Sequence, residues 1–469
     1  MAEHRLSLAI NGRERLLERR LVPFSMPDEQ LPDEQTTDGQ VNGRGRTLLG
    51  PVAIVGLGYV GLPTALALLG GSSHIIGFDI SDDRLRAIEA GNVDLNDLDR
   101  VRLAAARGDE DFRLTSDSAA LAEADAVIVC VPTPVDENHV PNLSAMRGAC
   151  QTVVEHAHPG QTIILTSTSF VGTTRQLLIE PLHQRGLVVG TDVHVAFSPE
   201  RIDPGNPDHL QRETPRVVGG STPSCSQHAA RVIGALTDSV YLVSSPEAAE
   251  LTKLYENIFR AVTLALANEF SDVCGTLGLD PIEVTLAAAT KPYGFLAAFP
   301  GPGVGGHCIP CDPHYLLWQL RGQNRPAPLI EQAMQSIHSR PARVVERAAE
   351  VLAGDGRSLA GARVIVLGAS YKAGVSDVRE SPALLIIDGL ARRGADVSYH
   401  DPLVPAIQTP GGRLLRSIPA PSGHDWELAV IHLVHPDVDC SWVQHCPRVL
   451  DATYLFDGLP DGATQRSVV

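Results

Sequence analysis

The chain has no apolar run of the ~18 residues that a membrane-crossing helix needs, and its first residues lack the apolar core of a signal peptide. A soluble, cytoplasmic protein is expected. Positive charge is also scarce: 38 Lys and Arg face 55 Asp and Glu, a net charge of −17. That balance argues against a general binder of nucleic acid or acidic membrane surfaces, but not against a local basic site for an anionic substrate. There is no second Cys-x-x-Cys pair, as a separated-pair zinc site would use. The eight cysteines of a long intracellular chain are expected to be reduced thiols. Most should be small buried hydrophobes, Cys130 within Val127–Val131 being the clearest case.

What is present is an ordinary globular composition, 43% apolar and 20% charged over 469 residues. At roughly 150 residues per domain, about three domains are expected. Residues 1–48 are polar and carry a near-repeat, Pro27-Asp-Glu-Gln and Pro32-Asp-Glu-Gln, so a solvated extension is expected there. From Val52 apolar strands alternate with helical segments: strands at Val52–Val55, Ile75–Asp79, Ala126–Val131, Thr162–Thr166 and Val193–Phe197, with a helix at Leu62–Leu69. This is the pattern of a mainly parallel α/β sheet. Ser245-Pro246-Glu247 is a helix start signal, and an alanine-rich helix is expected from there to about Cys274, ended by Gly275 and Gly278. Further helices are expected at Pro281–Thr290 and Ile330–Leu352. A second α/β unit opens with the strand Val364–Leu367, followed by the helix Pro382–Arg393 and the strand Val397–His400 ending at Asp401. The fold class is therefore α/β, two doubly wound Rossmann-like domains around a helical middle.

Gly56-Leu57-Gly58-Tyr59-Val60-Gly61 follows an expected strand and opens an expected helix, and Asp79 ends the next strand 23 residues after Gly56. Glycines here allow a tight turn and let a pyrophosphate approach the helix N-terminus, while the acid hydrogen-bonds a ribose hydroxyl and repels a 2′-phosphate. NAD is the expected cofactor. The bland alternative is a glycine-rich strand–helix turn that binds nothing.

The most telling stretch is Gly301-Pro-Gly-Val-Gly-Gly-His-Cys-Ile-Pro-Cys-Asp312. Glycines allow close backbone approach to a ligand, Cys308 offers a strong nucleophile, and Asp312 lies four residues on to position water or move a proton. Lys253 and Asn257 are four apart on the central helix and share a face. Taken alone, that pair reads as a lysine reaching solvent and an asparagine capping a loop.

Gly56–Pro63, Val131–Pro134, Ser167-Thr168, Ser198–Glu200, Ala248–Asn257, Gly305–Pro310, Gly368–Lys372 and Asp377–Pro382 occur in one order and spacing over residues 52–405. In these segments the chain resembles the UDP-glucose/GDP-mannose dehydrogenase family. The resemblance implies a catalytic set of Cys308 as nucleophile, Lys253 and Asn257 as oxyanion stabilisers, Asp312 for proton transfer, and Thr168 and Glu200 to position water. It implies cofactor contacts from Gly56, Gly58, Tyr59, Val60, Gly61, Asp79, Arg84, Thr133, Thr168 and Arg379. Substrate contacts are implied for Glu200, Arg201, Lys253, Asn257, Lys291, Gly305, Gly306 and Lys372. The implied reaction is oxidation of a sugar C6 alcohol to a carboxylate with two NAD and one water, the substrate being a UDP-sugar and no metal taking part. Implied domains are an extension (1–50), an NAD-binding domain (51–244), a central and dimerisation region (245–340) and a UDP-sugar domain (341–469), assembled as at least a homodimer.

Within the family, Ala288–Phe295, Phe299–Gly303, Phe197–Arg201 and Asp203–Asn206 resemble members that act on UDP-N-acetylglucosamine. Cys311 and Pro204 depart from the residues usual where UDP-glucose is the substrate, and Lys291 is the nearest cation to an arginine expected near Pro292. UDP-glucose and UDP-N-acetylmannosamine stay open as alternatives. Three rivals are weighed on other grounds: a metal site from His307, Cys308, Cys311 and His314, a two-electron dehydrogenase that needs no thiol, and a nucleotide-sugar binder without turnover. A thioredoxin-like pair is disfavoured on the ground that such pairs open a helix beside a different pattern.

Overall fold

A computed structural model describes residues 49–69, 74–136, 138–201, 212–436, 438–459 and 466–469. The expected extension before residue 49 and the Asp203–Asn206 segment lie outside the described residues.

Eight strands form the first sheet: β1 Val52–Val55, β2 Ile75–Phe78, β3 Phe112–Thr115, β4 Ala126–Val129, β5 Thr162–Leu165, β6 His194–Phe197, β7 Arg216–Gly220 and β8 Val240–Val243. Their order is β3-β2-β1-β4-β5-β6-β7-β8. Every neighbouring pair is parallel except β6 with β7. The strands β1, β2, β4, β5 and β6 are buried throughout, as a sheet covered on both faces requires. Alternate residues feed two apolar layers: Ala53 and Val55 one, Val52 and Ile54 the other.

The second sheet has the order β10-β9-β13-β14-β15, built from β9 Arg363–Leu367, β10 Asp396–His400, β13 Leu428–Ile431, β14 Val449–Asp451 and β15 Arg466–Val468. All its pairs are parallel. A short antiparallel ribbon, β11 Ala406–Gln408 with β12 Leu414–Arg416, stands apart. In each sheet the first strand lies between the second and a later one. The chain reverses its winding there, and ligands of open α/β sheets bind at such points.

The central helix, Pro246–Leu277, joins these parts. Ser245 accepts Ala248 N–H at 3.2 Å and Pro246 sits in the first turn, so the start expected from sequence is a capped one. Its end differs slightly from expectation: Gly275 is helical, and Gly278 at φ 70° turns the chain out. At 32 residues the helix is about 48 Å long. Its buried Ala261 and Ala265 pack with Ile309 and Leu317 of the helix Cys308–Gly322 and with Met334 and Ile337 of the helix Pro328–Ala353. The last helix runs unbroken through the expected boundary at residues 340 and 341. Its Val344, Val345 and Ala348 belong to the core of the second sheet.

Arg340 locks this junction. Its guanidinium donates to Asp272 at 2.8 Å, Ser271 at 3.1 Å, Tyr454 at 2.9 Å and the Gly301 carbonyl at 3.1 Å. One buried cation thus ties the central helix, the glycine-rich loop and the second sheet. Arg340→Ala leaves those acceptors without their donor, so the unfolding free energy should fall by about 3 kcal/mol in urea titrations.

Candidate active site

The dinucleotide loop has the geometry its glycines require. Gly56 has φ 89°, and a Cβ on it would come 2.8 Å from the Cys130 carbonyl. A Cβ on Gly61 would sit 1.8 Å from the Gly56 carbonyl oxygen, whereas one on Gly58 would meet nothing within 4 Å. Two of the three glycines therefore permit the turn, and the middle one leaves room for a ligand. The helix Gly61–Leu68 starts after Val60 without a side-chain cap; Leu62 N–H bonds the Gly58 carbonyl at 3.2 Å and Pro63 has no N–H, which leaves the Gly61 N–H at this end for a phosphate. Asp79 Oδ2 accepts the Leu57 N–H at 2.8 Å, and Arg84 donates to the Leu57 carbonyl at 2.8 Å. Thr133 is buried, its carbonyl accepting the Tyr315 hydroxyl at 3.0 Å. These residues fit a bound NAD: room at Gly58 beside a helix start for its phosphates and a strand-end acid for its ribose.

The thiol stands at the end of the second glycine-rich stretch. All eight cysteines are among the described residues and free, and Cys308 is the exposed one. The chain turns through Gly306 at φ 79° and enters a helix whose first residue is Cys308. A cysteine at a helix start was the ground for contrasting this site with thioredoxin-like pairs, and the structure removes that contrast. Cys311 is 3% exposed, packed inside, and its thiol is pushed up to about 12 chiefly by burial. Cys130 packs in the same way, also pushed up to about 12 by burial.

Asp312 follows one helical turn after Cys308 and is 1% exposed. Asn257 Nδ2 donates to its Oδ2 at 2.5 Å. Thr168 also hydrogen-bonds it, and Lys253 acts on it as a nearby positive charge. Lys253 Nζ donates to the Glu200 carbonyl at 3.0 Å. Lys253, Asn257, Thr168, Cys308 and Asp312 thus meet as expected. Glu200 meets them through its backbone. Its carboxylate accepts from Arg216 at 2.8 Å and from the Arg201 N–H at 2.8 Å. Arg201 itself is held by Glu256 on the central helix and by the Pro215 carbonyl. Lys291 is exposed and lies over the Tyr293 ring, 5.0 Å from its centroid, with no described contact to the thiol cluster.

The second sheet reaches the same place. Arg379 is gripped by Asp377, its guanidinium lies 5.4 Å from the centre of the Tyr59 ring, and its carbonyl accepts the Gly306 N–H at 3.0 Å. Lys372 is half-buried in the adjoining loop. Two residues here were not singled out from the sequence. Tyr371 packs on the glycine turn, where a Cβ on Gly305 would come 2.6 Å from its Cβ, and one on Gly306 2.8 Å from its ring. Arg260 adds positive charge at Cys308. Paired glycines before the cysteine, and a cation seven residues after Lys253 on the same helical face, were the available signals.

Comparison with known proteins matches residues 51–237 to the NAD-binding domain of the UDP-glucose/GDP-mannose dehydrogenase family, 247–337 to its central domain and 365–460 to its UDP-binding domain. The chain belongs to this family. It is an NAD-dependent nucleotide-sugar dehydrogenase. Relatives include an NDP-N-acetyl-D-galactosaminuronic acid dehydrogenase of Ralstonia nicotianae, 34% identical across 73% of this chain and 80% of that protein. A UDP-N-acetyl-D-mannosamine dehydrogenase of Escherichia coli is 32% identical across 73% of this chain and 82% of its own. Among solved structures, the UDP-D-ManNAc dehydrogenase from Pyrococcus horikoshii superposes with a TM-score of 0.80 at 28% identity, covering 89% of this chain and 99% of that one.

In this dehydrogenase the electrostatics of thiol and acid are opposed. Crowding by the surrounding protein raises the Cys308 thiol although the residue is open to solvent. Lys253 pulls it down, Asp312 pushes it up, and Arg260 and Arg379 pull it down. Burial raises Asp312 to about 6, against Lys253, Asn257 and Thr168. Its folded-state value therefore lies above the ordinary 3.8. Folding is undisturbed below that value, loses stability as pH rises towards about 6, and carries the full penalty above it. Asp312→Asn keeps an acceptor for Asn257 and removes the charge. At pH 8 it should be more stable than the native protein by about 2–3 kcal/mol, with the advantage gone below about pH 4, as thermal unfolding across pH would record. The same variant should be at least a hundredfold slower in turnover.

Proposed function

We propose that this dehydrogenase oxidises the C6 alcohol of a UDP-N-acetylhexosamine to the carboxylate through a covalent bond to Cys308. The observation that carries the reading is the position of Cys308: the exposed thiol, at a helix start, beside Lys253 and the Asn257–Asp312 pair. NAD supplies the hydride acceptor. The overall balance is R–CH2OH + 2 NAD⁺ + H2O → R–COO⁻ + 2 NADH + 3 H⁺.

The first oxidation takes C6 to the aldehyde. Cys308 sulfur then adds to that carbon, and the thiohemiacetal oxygen carries the negative charge that drives the second hydride out. Lys253 and Asn257 present an ammonium and an amide donor to that oxygen, stabilising charge as it develops. The resulting thioester is cleaved by water, whose proton Asp312 accepts. An acid held near 6 is ionised at neutral pH and still basic enough for this step. Retention on sulfur keeps the aldehyde from escaping.

N-acetylglucosamine is our first reading of the sugar, from the Ala288–Phe295 and Phe299–Gly303 segments. N-acetylmannosamine is the second, favoured by the names of the Escherichia and Pyrococcus relatives. Arg379 over Tyr59 and Lys372 nearby would hold the anionic ends of cofactor and sugar nucleotide.

A homodimer is part of the proposal. Leu251, Tyr255, Phe259, Leu266, Phe270, Val273 and Leu277 are exposed along the central helix, spaced three, four or seven apart, so they line one stripe. Such a stripe is suited to bury against a second copy. Phe259→Glu with Phe270→Glu should convert the protein to monomers in sedimentation velocity; an unchanged dimer would place the interface elsewhere.

Cys308→Ala decides the chemistry. Given UDP-N-acetylglucosamine and, separately, UDP-N-acetylmannosamine, the native enzyme should release two NADH per carboxylate. The variant should form no carboxylate while its NAD affinity stays within about twofold, since the thiol lies outside the cofactor fingerprint. Carboxylate made without that sulfur would end the covalent reading.

A further inference from the structure

The two sheets repeat one device and use it differently. Asp79 and Asp401 each follow the strand beside the first strand of their sheet, and each accepts backbone N–H groups from the loop after that first strand. Leu57 N–H reaches Asp79 at 2.8 Å, while Ala369 and Ser370 N–H reach Asp401 Oδ2 at 2.7 and 3.1 Å. Gly56 at φ 89° and Gly368 at φ 84° make the same left-handed turn. There the likeness ends. Asp79 is half-buried with room for a ligand at Gly58, whereas Asp401 is 1% exposed. Its oxygens also take Ser370 Oγ at 3.1 Å, Leu403 and Val404 N–H at 2.9 and 3.1 Å, and His435 Nε2 at 3.1 Å. No ribose can use this acid.

The pair holds a loop instead. His435 Nδ1 accepts Gly374 N–H at 3.0 Å, which assigns the ring proton to Nε2, facing Asp401. Asp401 fixes Ala369 and Ser370 at one end of the loop, and His435 fixes Gly374 at the other. Between them stands Tyr371, against Gly305 and Gly306, two residues before the thiol. The Tyr371 N–H donates to the Asp377 carbonyl at 3.0 Å, and Asp377 grips Arg379.

We propose that Asp401 and His435 are positioning residues of the active site, a buried carboxylate–imidazole pair that stretches the 369–374 loop so that Tyr371 seats the glycine turn carrying Cys308. The proposal rests on the reading of Cys308 as the nucleophile. Burial alone would raise the Asp401 carboxyl, but His435 and the Ala369 and Ser370 N–H groups hold it far below the usual range, so it stays ionised.

The test uses the full-length protein with two readouts: kcat and KM for UDP-N-acetylglucosamine and NAD, and the rate at which iodoacetamide alkylates Cys308, mapped by peptide mass. His435→Ala should lower kcat about tenfold or more and change the alkylation rate by a similar factor, with KM for NAD within about twofold. His435→Gln, which can accept from Gly374 and donate to Asp401, should recover most of both. Tyr371→Ala should reproduce the His435→Ala changes, and the double variant should be no worse than the more severe single one. Native values in His435→Ala, or additive losses in the double variant, would overturn the proposal. If His435→Ala does not fold, Tyr371→Ala decides alone, native kcat and alkylation rate counting against it. Should Cys308→Ala still form carboxylate, the catalytic reading fails, while alkylation still judges the positioning.

Discussion

The burial of Asp312 beside an open thiol is the constraint on which the site depends. A carboxylate taken from water tends to hold its proton, and this one does so to about 6 despite a lysine, an amide and a hydroxyl around it. The groups that moderate it come from elements far apart in sequence: Thr168 after β5, Lys253 and Asn257 from the central helix. Their convergence requires the central helix to pack on the cysteine helix, through Ala261 and Ala265 against Ile309 and Leu317. Small residues on one side and branched ones on the other let the two backbones approach. The polar cluster sits at the end of that apolar contact, where it is shielded but still reached from solvent at Cys308. Site and packing are thus one arrangement, and above about pH 6 the buried carboxylate weakens the fold holding it.

The two α/β domains show how one topology can yield a ligand site or a mechanical part. Both present a glycine turn after the first strand and an aspartate after the second. In the first domain the turn is uncrowded at Gly58 and opens on an uncapped helix, which invites an anion. In the second, the aspartate is bonded within the protein to loop N–H groups, Ser370 and His435. The difference lies in how many donors surround the acid, because a carboxylate surrounded by N–H donors no longer has capacity for a ribose.

Much of this was legible in the sequence because local rules suffice for it. The strand–glycine–helix–acid pattern around Gly56 and Asp79 specifies its own geometry, and Ser245-Pro246 specified the start of the central helix. Its end was less certain, since Gly275 and Gly278 are chemically alike and only the backbone shows which one turns left-handed. The surroundings of Glu200 were not legible for a related reason. Its motif says that the residue belongs near the site, but Arg216 lies on β7, and only the sheet brings that guanidinium onto the carboxylate. Tyr371 was passed over because its importance depends on a packing partner 65 residues earlier, which no local pattern announces.

The glycine loop explains why the parts must act together. Its carbonyl at Gly301 is held by Arg340, its Gly306 N–H by the Arg379 carbonyl, and its face by Tyr371. A loop of glycines has many conformations to lose, so ordering it demands several independent contacts. Those contacts come from the helix leaving the middle region and from the second sheet, whereas the thiol works against groups of the first sheet and central helix. The turn before Cys308 is therefore held largely from the second sheet, while Lys253 of the central helix works against the burial that raises its thiol. A shift of the second sheet relative to the first would move the glycine turn before Cys308 against Lys253 without breaking either domain, so the geometry at the thiol is most sensitive at the seam where Arg379 lies over Tyr59.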